Sequence, residues 1–251
     1  MLGQVTEFKN QRIQDSTFEN VDLSGSRFHN VDLSGVEIKG AVLFDVVIEA
    51  DIKNIRINDV DVVPLVVAEL DRRYPERVKL RPTDADGFRE AWSLIEELWA
   101  PTVDKARRLP PELLHERVDD EWSFIETLRH LVFATDAWIK RAVLGDPTPY
   151  DALDLPHDEM SDEPNVPRNR DARPSLDEVL TLRADRMATV RNLVDEATDE
   201  FWRGMTKPVP PPGYPASESF PVGECMRNIL DEEWAHRRYA ERDLATLSSR
   251  L

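Results

Sequence analysis

The sequence predicts an α+β chain in two parts: a short β-solenoid over residues 1–63, then a four-helix bundle over residues 64–251. Three observations carry this reading. An apolar residue recurs at every fifth position from Ile13 to Ile48. Beyond Pro64 the apolar spacing becomes helical. Proline-rich breaks then divide the second region into four segments of helical length.

The first part repeats Ile13, Phe18, Leu23, Phe28, Leu33, Ile38, Leu43 and Ile48, most of them with a small or β-branched residue two places earlier (Ser16, Val21, Ser26, Val31, Val36, Ala41, Val46). Between them lie Asp, Asn, Ser and Gly, as in VDLSG at 21–25 and again at 31–35. A period of five fits neither a helix nor a flat strand. It fits a square coil in which each five-residue side turns a corner and sends its central apolar residue inward. The pattern resembles the pentapeptide-repeat family, which implies a right-handed β-solenoid of about two coils. The phase fails at Lys53, and Ile52, Ile55, Ile57, Val60 and Val62 predict an irregular or strand-like exit.

The helical part opens with residues 84–108, where Phe88, Trp92, Ile95 and Leu98 share one face and Asp84 or Asp86 can cap the N-terminus. Residues 121–144 form the second helix, 175–198 the third and 221–247 the fourth; Ser175 followed by Glu178 is a capping-box pattern. Pro110–Pro111, the 145–174 segment and Pro208–Pro215 supply the breaks. Four amphipathic helices of this length predict a bundle, and two long connections in a compact domain read as functional or mobile.

Composition excludes several classes. The 49 acidic and 32 basic side chains leave a net charge of −17, which repels phosphate backbones, so no nucleic-acid partner is expected. No apolar run approaches a membrane span and the N-terminus has no apolar core after its first charges, so the expected setting is cytoplasmic, with no membrane partner. The single cysteine, Cys225, excludes an internal disulfide and a cysteine-only zinc site. Only seven of the basic residues are Lys; Arg and Ala use of this kind follows GC-rich codons.

Of the five histidines, His29 and His115 lie in polar surroundings and read as solvated. In the fourth helix, NILDEEWAHRRYAERDL, Glu232 and His236 stand four apart and project from one face, the spacing by which a helix gives two ligands to one metal. They fall beside the stripe of Val222, Cys225, Ile229 and Asp243, where a carboxylate and an imidazole want a cation or hydrogen bonds. On that stripe Cys225 reads as a buried, inert thiol. His130, in WSFIETLRHLVFATDAWIKRAVL, lies nearly opposite the Leu128, Val132, Ile139 stripe, with small Thr127, Ala134 and Ala137 beside it. A pocket-facing histidine and a surface histidine beside Arg141 both fit. His157, in PYDALDLPHDEM, lies in a loop that can fold over the mouth of the bundle and contact substrate, or reads simply as a solvated loop histidine. Tyr239 and the loop GYPASESF at 213–220 can line a pocket there. Arg237 and Arg238 can take a carboxylate or sugar hydroxyls, or pair with Glu241 or Asp243.

The phrases WSFIETLRHLVFATDAWI at 122–139 and LDEEWAHRRYAERDL at 230–244 resemble the DinB (YfiT-like) superfamily, particularly its actinobacterial members. The resemblance covers roughly residues 84–248. It implies a four-helix bundle in which the second and fourth helices bring three ligands to one divalent metal, Zn or Ni foremost. By that resemblance the ligands are His130, Glu232 and His236, with Glu232 where the family usually places histidine. Known enzymes of the superfamily transfer thiols, with mycothiol as co-substrate in some. The implied function is a metal-dependent transferase that activates a low-molecular-weight thiol, mycothiol-like, for addition to a small electrophile, with His157, Tyr239 and Arg237 binding substrate and no further catalytic residue assigned. Two alternatives stand beside it. One is a non-enzymatic interaction protein that uses the acidic repeat surface, with the bundle as a dimerising base; the other is a metal-free small-molecule binding module. A homodimer is compatible with each.

Overall fold

The computed structural model describes residues 7–9, 11–50, 52–158 and 160–251, and the chain divides into two compact units, Met1–Asp45 and Val46–Leu251.

In the first unit the backbone turns at every fifth residue. Asp15, Asn20, Gly25, Asn30, Gly35, Gly40 and Asp45 all take φ between +49° and +75°. Gly, Asn and Asp enter this left-handed region at least cost, which is why the polar corner residues of the repeat occupy it. Asp22 and Asp32 reinforce two corners by accepting the backbone N–H of Ser24 and Ser34 at 2.9 and 2.8 Å. The expected inward-facing interior is not seen. Among the described residues of this unit no strand forms and all are exposed, from Ile13 at 45% to Ile38 at 64% along the fifth-position row. Solenoids bury their interior by stacking successive coils, and about two coils leave each apolar residue too few neighbours.

The second unit begins with the strand-like exit. β1 (Arg56–Ile57) pairs antiparallel with β2 (Val60–Asp61) across Asn58 and Asp59, both at positive φ, as a two-residue hairpin turn requires. A helix not foreseen in the sequence follows: α1 (Val63–Arg73), started by Pro64, then a 3₁₀ segment, Pro75–Leu80.

Four long helices form the bundle. α2 (Ala85–Ala106) starts at Asp84, whose carboxylate accepts the Gly87 N–H at 2.8 Å. α3 (Phe124–Thr135) opens with a capping box between Ser123 and Glu126, and α4 (Leu176–Glu196) with the expected one between Ser175 and Glu178. A short α5 (Asp199–Arg203) precedes α6 (Val222–Ser248). α3 packs against α4 and α6, and α2 against the same two helices. Trp92, Ile95, Leu128, Val190, Met226 and Leu230 fill the centre; each such side chain taken from water contributes about 1.5–3 kcal/mol. No helix is long and apolar enough to cross a membrane among the described residues.

The second predicted helix departs from a uniform α-helix: past Thr135 it continues as a π-helical segment, Asp136–Val143. Asp136 lies inside the core at the junction, where Arg186 of α4 donates to both its oxygens at 2.9 and 2.8 Å. A second buried pair, Arg183 with Glu233 at 3.0 and 2.5 Å, joins α4 to α6.

Both long connections are tied to the α3–π helix by buried arginines. Arg129 donates to the carbonyls of Leu153, Asn169 and Ala172 in the 145–174 loop. Arg141 donates to those of Pro147, Val209 and Pro210. Gly213, at φ +137°, passes so close to Arg141 that a Cβ there would meet its Cζ at 2.8 Å. α3 is therefore covered on all sides, and only Glu126 among its residues is not buried.

Candidate metal centre

His130 comes from the middle of α3 and is 6% exposed, so the surface reading of this histidine is excluded. Its phase opposite the Leu128 stripe points it toward α6 and the 145–174 loop rather than toward water. Glu232 and His236, one turn apart on α6, meet it there. His130 Nε2 lies 3.3 Å from Glu232 Oε2, and His236 Nε2 lies 3.1 Å from the same oxygen. The three donor atoms all fall within 4.8 Å of one another.

The outer nitrogen of His130 settles its tautomer. Nδ1 lies 3.0 Å from the carbonyl oxygen of Leu155, which can only accept, so Nδ1 carries the hydrogen. Nε2, facing the Glu232 carboxylate, donates to it when the ring is protonated and presents a lone pair when the ring is neutral. Two acceptors at 3.3 Å repel unless a proton or a cation lies between them. Tetrahedral zinc with bonds near 2.0–2.1 Å spaces its N and O donors by about 3.3 Å, so the two short separations already match a metal's needs. The group could hold a divalent ion, and three protein donors leave room for an exogenous ligand.

The surroundings support that use. Burial pulls the His236 imidazole below its ordinary range, opposed by its bond to Glu232. Burial pushes the Glu232 carboxyl up, but the bonds from His130 and His236 outweigh it and hold it well below the usual carboxylate range. A neutral imidazole and an ionised carboxylate are the forms that ligate. The Trp122 ring covers both histidines, with centroids 4.6 Å from His130 and 5.9 Å from His236. Phe133 and Tyr214 continue the aromatic wall, Phe133 at 6.1 Å from His130 and 5.9 Å from Tyr214.

Of the other residues singled out in the sequence, Tyr239 sets its ring edge-on to His236 at 6.0 Å. His157 lies against Tyr214 at 5.7 Å, on the loop whose Leu155 holds His130. Arg237 extends from α6 with Glu241 at 4.0 Å, and burial lowers its affinity for the proton. Cys225 is buried, and burial pushes its thiol up to about 11, which fits the inert role. Tyr214 belongs to the 213–220 loop that the sequence offered as a pocket lining, whereas Trp122 and the Leu155 carbonyl were not singled out in the sequence. A tryptophan before a Ser cap and a backbone oxygen in an irregular loop carry no spacing signal.

Comparison with known proteins adds the family. The DinB superfamily matches residues 88–240, a span that holds all three donor residues. No curated protein and no solved structure matches. A match over more than half of the length, on a bundle whose second and last long helices converge on His130, Glu232 and His236, settles the kinship: the chain belongs to the DinB superfamily.

Proposed function

We propose that this protein is a metal-dependent transferase that activates a low-molecular-weight thiol, mycothiol-like, for addition to a small electrophile. The observation that carries it is the convergence of His130, Glu232 and His236, whose donor atoms all lie within 4.8 Å of one another. Zn or Ni suits two imidazoles and one carboxylate. When bound, the ion supplies positive charge that keeps a thiol of ordinary pKa near 8.5 deprotonated at neutral pH. The chain's own residues do the rest. The Leu155 carbonyl holds the His130 ring in one tautomer, and Trp122 keeps water from the two imidazoles. Tyr239 and His157 border the space in which an electrophile would lie. The sulfur lone pair forms the new C–S bond, the electrophile's displaced electron pair moves to its acceptor atom, and that atom takes up a proton.

Elemental mass spectrometry on protein purified without a histidine tag or chelator tests this. Near one equivalent of a divalent ion per chain supports it. Protein that stays metal-free after incubation with divalent ions removes it and favours the metal-free binding module.

We infer further that residues 1–63 form a short pentapeptide-repeat coil, supported by the left-handed residue at every fifth position. Its exposed apolar row favours a second role as an interaction surface. Loss of a co-purifying protein on substituting Phe18 and Phe28 with Ser would support that role, and thiol-transfer activity should be unaffected.

A further inference from the structure

Beside the donor set, α6 contributes to a cavity of about 370 Å³. Arg237, Arg238 and Arg242 line it with Tyr74, Tyr239 and two carboxylates, Glu49 and Glu241. The three guanidinium groups differ in what already occupies them. Arg242 is enclosed by carboxylates: Asp243 at 2.8 Å, Glu49 at 3.6 Å, and Glu121. Arg238 lies over the faces of Tyr74 and Trp234, at 4.6 and 4.8 Å, and donates to the Tyr74 hydroxyl at 3.4 Å. Arg237 has one ion-pair contact among the described residues, Glu241 at 4.0 Å. That carboxylate is already committed, accepting from Thr102 Oγ1 at 2.5 Å and from Lys105.

The Nε of Arg237 is buried and has no acceptor among the described residues. In a chain with 49 acidic side chains against 32 basic ones, carboxylates are plentiful, yet none is directed to this N–H. A half-buried guanidinium held only by a 4.0 Å contact to a carboxylate shared with Thr102 and Lys105, next to a second guanidinium engaged by aromatic rings, leaves positive charge at the cavity wall. The volume lies within the range of small-ligand sites.

The geometry points to this cavity as the binding site of a small oxyanion, a carboxylate or phosphate group, taken by Arg237 and Arg238 between the rings of Tyr74 and Tyr239. The planar guanidinium fork matches either group. Tyr239 links the cavity to the donor set, since its ring also meets His236 at 6.0 Å. Resting on the thiol-transfer reading, the anion is an acidic group of the thiol or electrophile, and the substrate class is acidic.

Isothermal titration of the whole protein with inorganic phosphate and with succinate tests the site, on metal-loaded and on chelator-treated samples, with R237Q and R237K alongside. One-site binding that weakens at least about tenfold in R237Q and less in R237K is expected. Tighter succinate assigns a carboxylate; tighter phosphate assigns a phosphate monoester. Failure of both anions to bind at millimolar concentration, or wild-type affinity in R237Q, overturns the site. Should R237Q not fold, R237K carries the test, and unchanged affinity there overturns it. Anion binding in protein that takes no metal would sustain this site and remove the thiol reading; metal uptake without anion binding would do the reverse.

Discussion

The His130 imidazole donates through Nδ1 to the Leu155 carbonyl at 3.0 Å, and that bond fixes which nitrogen faces Glu232. A loop backbone atom thereby controls the chemistry of a helix side chain. Replacing His130 with Ala should lower bound divalent metal from near one equivalent to under about a tenth, and affinity by more than the roughly 10- to 100-fold that loss of a supporting bond costs. Elemental analysis and a thiol-transfer assay check this together.

Metal removal should destabilise the fold, because the ion would bind three groups that converge only in the native state. With free metal a hundredfold above its Kd, binding adds about 2.7 kcal/mol. For a domain of this size that corresponds to a drop in Tm of roughly 5–10 °C on chelation. Differential scanning calorimetry with and without a chelator reads it, and an unchanged Tm would count against the site.

The Arg183–Glu233 pair joins α4 to α6 in the core, with Arg183 also 4.6 Å over the Trp99 ring. Arg183→Met alone should cost about 3–5 kcal/mol, since it strands a buried carboxylate. Arg183→Met combined with Glu233→Leu should recover most of that loss. Urea denaturation of the two single variants and the double variant closes the cycle.

Cys225 is 2% exposed and its thiol is raised to about 11 by burial, so at pH 8 about 0.1% is thiolate. Native protein should therefore react with a thiol-directed reagent at least about 100-fold more slowly than protein unfolded in guanidinium. Cys225→Ser should keep full metal content.

Asp154 is fully buried, neither carboxylate oxygen has a partner among the described residues, and burial followed by the nearby Asp136 carboxylate raises it well above 3.8. The folded protein favours its protonated form. Its contribution is therefore fully present below about pH 3.8 and is lost as pH rises toward the folded-state value. Asp154→Asn, neutral at every pH, should become progressively more stabilising than wild type as pH rises above about 4, as followed by denaturation across pH.

Much of the bundle was legible because burial imposes periodicity. Phe88, Trp92 and Ile95 lie in the core as their spacing predicts, and the Ser175–Glu178 box starts its helix where expected. The spacing of Glu232 and His236 announced a shared face, but His130 stayed undecided until the loop that covers it was seen. α1 was missed because Leu65 and Val66 remain exposed and none of its residues is buried, so no core stripe marks it. In the first unit left-handed residues recur at the five-residue period but the expected buried interior is not seen, since a turn is a local backbone property whereas an interior needs stacked neighbours.

Arg129 and His130 are adjacent on α3, and both grip the same stretch of loop, Arg129 Nε at the Leu153 carbonyl and His130 at that of Leu155. Any molecule that must displace the stretch to enter also releases the ring from its orientation. By reciprocity the entering molecule and the ion then oppose each other by the same factor. A molecule that fits beneath the undisturbed loop carries no such antagonism. Whether an ion held there and an entering molecule oppose each other is thus set by two neighbouring side chains.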